Sequence, residues 1–153
     1  MLRLNMPNYA ENRKARFNYE ILEKYETGIE LLGAEVKSVR GGTMSLEGAF
    51  VIVRGGETFL INASIPPYQP KNAPKDYDPL RNRKLLLTKK EIAELAGSEK
   101  NRSLTIVPIS VYNKGRKIKV EIALVKGKKK FDKRETLKKR DTEREIRREY
   151  KDR

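Results

Sequence analysis

At 153 residues with no cysteine and no histidine, the chain excludes disulfides, thiolate metal sites and the usual general base of neutral-pH catalysis. Its 35 Lys/Arg against 21 Asp/Glu give a formal net charge of +14, which points to nucleic acid or an anionic membrane surface; the charge enrichment of thermophiles would raise both signs together. No apolar run approaches the roughly 18 residues of a membrane span, and Met1 to Tyr9 lacks the apolar core of a secretion signal, so the sequence reads as cytoplasmic with no membrane partner.

From the N-terminus, Phe17 to Leu31 alternates. Phe17, Tyr19, Ile21, Tyr25, Thr27, Ile29 and Leu31 share one parity, broken only at Leu22 and Glu23. This predicts a long strand, or two joined by a bend at Gly28. Leu32, Val36 and Val39 then follow helical spacing up to Gly41, which places Glu35, Lys37, Ser38 and Arg40 away from the apolar stripe. Ala49 to Arg54 and Thr58 to Ile65 predict a hairpin around Gly55-Gly56, and the proline-rich stretch 66–82 predicts a loop. Thr88 and Glu91 form a capping box before a helix carrying Ile92, Leu95 and Ala96 and ending at Gly97. Ser103 to Tyr112 predicts a strand whose phase slips beside Pro108, the mark of a bulge. After a turn at Asn113-Lys114-Gly115, Ile118, Val120, Ile122 and Leu124 alternate with Lys117, Lys119, Glu121 and Ala123 in the clearest strand of the chain.

These elements predict an all-β body of five to six antiparallel strands with two or three short flanking helices. Twisted strands of this length remove their edges by closing, so a closed barrel of the oligonucleotide-binding type is the first expectation. A curved open sheet with helices on one face is the second. The boundaries expected are an N-terminal arm over 1–11, the barrel over 12–126 and a basic tail over 127–153.

The segment 126–153 holds 14 Lys/Arg against 7 Asp/Glu, a net +7 and half the charge of the chain. Phe131, Leu137, Ile146 and Tyr150 are its sparse apolar residues. Such a segment cannot bury enough apolar surface to offset the entropy of ordering, so it is expected to be disordered when free and to order against a polyanion.

Four cationic runs are candidate sites. Asn12, Arg13, Lys14 and Arg16 bring charge to a strand entry, where Arg and Lys suit phosphates and an amide suits a base edge or sugar; a solvated strand entry explains the run as well. Glu35, Lys37, Ser38 and Arg40 fit a helix with a charged outer face. Arg81, Arg83 and Lys84 precede the apolar triplet Leu85-Leu86-Leu87, either as a site or as a solubilised loop before a core segment. Lys126, Gly127, Lys128, Lys129, Phe131, Asp132, Lys133 and Arg134 interleave charge with one aromatic ring, a pattern suited to phosphate neutralisation and base stacking. The chain has no Gly-x-Ser-x-Gly, no phosphate-cradling P-loop and no metal-ligand spacing. Its carboxylates sit among cations, which favour the ionised form and disfavour general-acid work. The sequence therefore reads as a non-enzyme without a cofactor.

Taken in order and spacing, Asn12-Arg13-Lys14-Ala15, Glu35-Val36-Lys37-Ser38, Asp78-Pro79-Leu80-Arg81 with Arg83-Lys84-Leu85-Leu86-Leu87, Lys126-Gly127-Lys128-Lys129 and Asp132-Lys133-Arg134 resemble the SmpB family of SsrA-binding proteins over about Asn12 to Arg148. The resemblance implies an oligonucleotide-binding-type barrel and an adaptor that binds the tRNA-like domain of transfer-messenger RNA (tmRNA). It implies delivery to stalled 70S ribosomes for trans-translation, with alanyl-tRNA synthetase and elongation factor Tu as partners through the RNA complex. It also implies that Asn12, Glu26, Lys37, Arg40 and Leu86 bind the RNA or support its binding. Leu86 is expected beneath the surface, and Glu26 to hold a neighbouring Arg or accept from a base amine. The tail would enter the empty messenger channel and decoding centre of 16S rRNA and become helical there. Two other classes are a structural ribosomal component, present in every ribosome, and a metal-dependent nuclease, which would turn RNA over. A charge-rich surface favours a monomer.

Overall fold

A computed structural model describes residues 8–101 and 103–127. The expectations for Lys128, Lys129, Phe131, Asp132, Lys133, Arg134 and the rest of the tail lie outside the described residues. In chain order the elements are β1 (Ala10–Glu11), α1 (Arg13–Asn18), β2 (Tyr19–Gly28), α2 (Gly33–Arg40), β3 (Phe50–Arg54), β4 (Glu57–Ile61), a single 3-10 turn (Pro70–Asn72), β5 (Arg83–Leu85), α3 (Lys89–Glu99), β6 (Leu104–Lys114) and β7 (Lys117–Gly127).

The strands form two antiparallel sheets, β1-β6-β7-β2 and β3-β4-β5, and neither closes into a barrel. This corrects the first expectation. The sheets are stitched at one seam, where Ile29 bridges Leu85, Glu30 N donates to Lys84 O at 2.9 Å and Leu86 N donates to Gly28 O at 2.9 Å. At the opposite seam β3 lies near β6 without a ladder. Part of the edge of β6 is taken by the N-terminal segment. Tyr9 N and Asn12 N donate to Val111 O and Ile109 O, and the Asn12 side-chain amide donates to Pro108 O at 3.0 Å. Pro108 has no N–H with which to extend a ladder.

The larger core fills the space between the sheets, with Leu60, Ile65, Leu85, Ile106, Val120 and Ile122 nearly inaccessible and Val39 and Leu95 sealing it from α2 and α3. A smaller cluster lies on the other face of the large sheet, where Ala15 of α1 covers Val107, Ile109, Ala123 and Val125. Two bulges let one strand serve both clusters. The β2–β7 register passes from Ile21↔Val125 to Glu23↔Leu124, so Leu22 is the extra residue at the expected break in alternation. Ile21 then packs on the small cluster and Tyr25 on the large one, although both share a parity. The phase slip at Pro108 is a bulge of the same kind in β6.

Several element bounds differ from expectation. Phe17 belongs to α1, not to a strand, because Asn12 caps the segment by accepting from Ala15 N at 3.2 Å. β4 stops at Ile61 because Asn62 turns to φ 65°. α3 runs through Gly97 to Glu99. The final hairpin turns at Gly115 and Arg116, with Gly115 at φ 64°.

Candidate nucleic-acid interface

Alternation along β7 sends Ile118, Val120 and Ile122 to the core and leaves Lys117, Lys119 and Glu121 on the outward face. The register places Gly28 and Tyr112 beside Lys119, Glu26 and Ser110 beside Glu121, and Lys114 beside Lys117. The half of this face not covered by α1 is therefore polar and cationic. Glu26 organises it. Its carboxylate accepts from the Tyr112 hydroxyl and from Lys114 Nζ at 2.8 Å. The Lys114 bond first, then the Tyr112 bond, hold the Glu26 carboxyl below its usual range. Burial and the Glu26 bond push the Tyr112 hydroxyl up. Within the chain Glu26 thus holds a lysine and a tyrosine rather than the neighbouring arginine that was one of its two expected partners.

Beside this face a cleft of about 350 Å³ opens toward α2. Gly28, Ile29 and Leu86 form its floor; Arg40, Arg116, Lys117 and Lys119 form its rim. Arg40 Nη2 donates to Arg116 O at 3.1 Å, which ties the end of α2 to the hairpin tip. Leu86 is 53 % exposed, contrary to the expectation that it supports the core from below. It is drawn over β2 by the bond from its amide to Gly28 O, and the absence of a side chain at Gly28 leaves room for it. A Cβ built at Gly28 would lie 3.2 Å from Leu86 Cδ1.

Of the other expected site residues, Glu35, Ser38 and Arg83 are buried and Arg81 is half-buried. This widens the buried face of α2 beyond the expected stripe: Val39 is buried as expected and Lys37 and Arg40 are exposed, but Glu35 and Ser38 turn inward while Leu32, at the N-cap, is 55 % exposed. The Glu35 Oε2 accepts from Arg83 Nη2 at 2.7 Å and Nε at 2.9 Å, while Oε1 accepts from Arg81 Nη2 at 2.6 Å and Leu32 N at 2.8 Å. Burial pushes the Glu35 carboxyl up, but Arg81, the Leu32 amide and Arg83 outweigh it and hold the group below the usual range. The bond to Glu35 raises Arg81 in turn. A buried charge must be paired and hydrogen-bonded, and this triad meets that demand. Ser38 Oγ donates to Pro66 O.

The Asn12 amide is likewise engaged inside the protein, at its cap and at Pro108 O. Arg13 is nearly fully exposed and Lys14 pairs with Glu47 at the far end of the sheet. Lys84 pairs with Glu57 at 3.2 Å. Lys126 and Gly127 end β7. The fold thus gathers Arg40 and Leu86 at one cleft, with Glu26 on the adjoining sheet face. Lys37 stands exposed one turn of α2 before Arg40, at a second hollow.

Sequence reasoning did not select Tyr112, Lys114, Arg116, Lys117 or Lys119. The signal was present for two of them, since the wet parity of the clearest strand begins Lys117, Lys119. Among the described residues, no group of three or more His, Cys, Asp or Glu side chains is arranged to hold a metal ion, and no helix is long and apolar enough to cross a membrane.

The family model described as SmpB protein matches residues 9–152. The chain is 54 % identical over 142 residues to an SsrA-binding protein of Sulfurihydrogenibium sp., covering 93 % of each chain. It is 54 % identical to one from Mesoplasma florum, covering 93 % of this chain and 95 % of that one. It is 49 % identical over 144 residues to one from Thermosynechococcus vestitus, covering 94 % and 95 %. A solved structure described as "tmRNA-SmpB: a journey to the center of the bacterial ribosome" contains a chain of similar fold. Its TM-score is 0.66 at 44 % identity, over 83 % of this chain and 92 % of that chain.

Proposed function

The chain belongs to the SmpB protein family, and from that premise we propose that it is an adaptor, not an enzyme, that binds the tRNA-like domain of tmRNA. The observation that carries this reading is the cationic cleft of Arg40, Arg116, Lys117 and Lys119 over the exposed Leu86. Cations on a shaped rim suit phosphates of a folded RNA, and an apolar floor suits a base turned out of its stack. Glu26 keeps Lys114 and Tyr112 in place beside the rim.

The bound RNA is then carried to stalled ribosomes in the cytoplasm. The cationic segment 127–153, with Lys128, Lys129, Phe131, Lys133 and Arg134, engages the empty messenger channel and the decoding centre of 16S rRNA. Alanyl-tRNA synthetase and elongation factor Tu act on the same RNA complex. The division proposed is a folded body over about 12–126 that grips one RNA and a tail that probes another. The body also includes Ala10 and Glu11, which pair with β6. Arg81, Arg83, Glu35, Ser38 and Asn12 support the RNA-binding surface from within.

The test is titration of the purified protein against an in vitro transcribed tRNA-like domain, with a ribosomal RNA helix of equal length as competitor. Tight, salt-sensitive binding that the competitor fails to displace is expected. Equal affinity for the two RNAs would contradict the reading.

A further inference from the structure

The connection from β4 to β5, residues 62–82, is unusually long for a small domain, and loops of this length generally carry function. Its neck is closed by bonds that an unneeded linker would lack. Ile65 N donates to Pro79 O at 2.9 Å and the Tyr77 hydroxyl donates to Ile65 O at 2.7 Å. Arg83 donates to Ala63 O at 2.7 Å and Pro79 O at 3.1 Å while bound to Glu35. The crown of the loop stays exposed and, with the start of α2, encloses a hollow of about 370 Å³.

The walls of this hollow are flat and apolar: Pro67, Tyr68, Pro74 and Tyr77. Tyr77 is fixed through its hydroxyl, whereas Tyr68 is 55 % exposed. Polar groups stand at the rim. Asn72 Nδ2 donates to Gln69 Oε1 at 2.9 Å, so the two lining amides pair with each other. The Lys37 ammonium is the cation among the lining residues, and Arg40 lies one helical turn beyond it, on the rim of the basic cleft. The two hollows are therefore joined along α2 by two cations.

We propose that the hollow takes one unstacked nucleobase of the bound tRNA-like RNA, with Tyr68 stacked on its face and Lys37 on the adjoining phosphate. The inference rests on the RNA-binding reading above. The choice of a nucleic acid over a peptide follows from charge complementarity and from continuity with the basic cleft. A planar aromatic wall with an amide pair at its edge suits a base more closely than an aliphatic side chain.

The test uses full-length protein and the tRNA-like domain RNA, comparing wild type with Tyr68→Ala, Tyr68→Phe and Lys37→Ala. Tyr68→Ala lowers affinity about tenfold with an unchanged salt slope, and Tyr68→Phe stays within about twofold of wild type. Lys37→Ala reduces the slope of log affinity against log salt by about 1. The thermal midpoints stay at the wild-type value because both side chains are exposed. Wild-type binding that Tyr68→Ala leaves intact would overturn the base pocket and leave the RNA reading standing. Failure of the wild type to bind would remove both.

Discussion

Arg83 Nη2 lies 2.7 Å from Glu35 Oε2, and neither side chain is accessible to solvent. A residue type that ordinarily meets phosphate is here enclosed in the body of an RNA-binding fold. It holds a helix start, the end of one strand and the neck of a long loop to one another. Because Arg83 also donates to Ala63 O and Pro79 O, the pair fixes the backbone on either side of the hollow beside α2.

Glu35→Ala leaves Arg83 buried without its counter-charge. Removing one partner of a buried ion pair typically costs roughly 3–5 kcal/mol, a large part of the 5–15 kcal/mol that holds a domain folded. Urea unfolding should show that loss in the midpoint at pH 7. Lys84→Ala breaks an exposed pair with Glu57 and should change stability by less than about 1 kcal/mol.

The same carboxylate gives the protein an acid limit. Its folded pKa is depressed, so its contribution is fully present above the unfolded value of about 4.3 and is lost as pH falls through the lower folded value. The unfolding midpoint should therefore fall on acidification below the ordinary carboxylate range. A Glu35→Gln variant, less stable at neutral pH, should fall less steeply over that window. Parallel curves for the two proteins would show that Glu35 is not the group responsible.

The cations of the β6–β7 hairpin should act through phosphates. Lys117→Ala and Lys119→Ala are each expected to weaken binding of the tRNA-like RNA and to lower the salt slope by about 1, with little change in thermal stability. Lys84→Ala, at the seam and already paired with Glu57, is the matched control and should leave the slope unchanged.

Gly28→Ala tests the floor of the cleft. The new Cβ would come within 3.2 Å of Leu86 Cδ1, and Leu86 is exposed enough to move aside. Stability should stay within about 0.5–1 kcal/mol of wild type while RNA affinity falls, because the displaced leucine fills the cleft. Combining Gly28→Ala with Leu86→Ala should restore part of the affinity if displacement is the cause.

Much of this arrangement is legible in the chain. The alternation of Lys117 to Leu124, the slip at Pro108 and the capping box at Thr88 each mark an element or irregularity that the fold contains. Local pattern misleads where a tertiary partner decides the outcome. The spacing of Leu32, Val36 and Val39 marks an apolar stripe, yet α2 buries Glu35 and Ser38 because Arg81, Arg83 and Pro66 O come from loops distant in sequence. Two open sheets stand where a closed barrel was expected, and the two-residue strand β1 that pairs with β6 gives almost no periodic signal. Leu86 sits inside an apolar triplet, and only the absent side chain at Gly28, across the seam, explains its exposure. The tyrosines of the 62–82 loop have no periodicity at all; they become a pocket only through the bonds at its neck.

The most direct test of the division between body and tail is a protein ending at Phe131, which retains every described element and removes 10 Lys/Arg and 7 Asp/Glu. Binding to the tRNA-like domain and release of stalled ribosomes should be measured side by side with the full chain. The account predicts RNA affinity within a few-fold of the full protein, as expected from so small a net loss of charge, and no ribosome rescue. Loss of RNA binding on truncation, or rescue that survives it, would contradict the account.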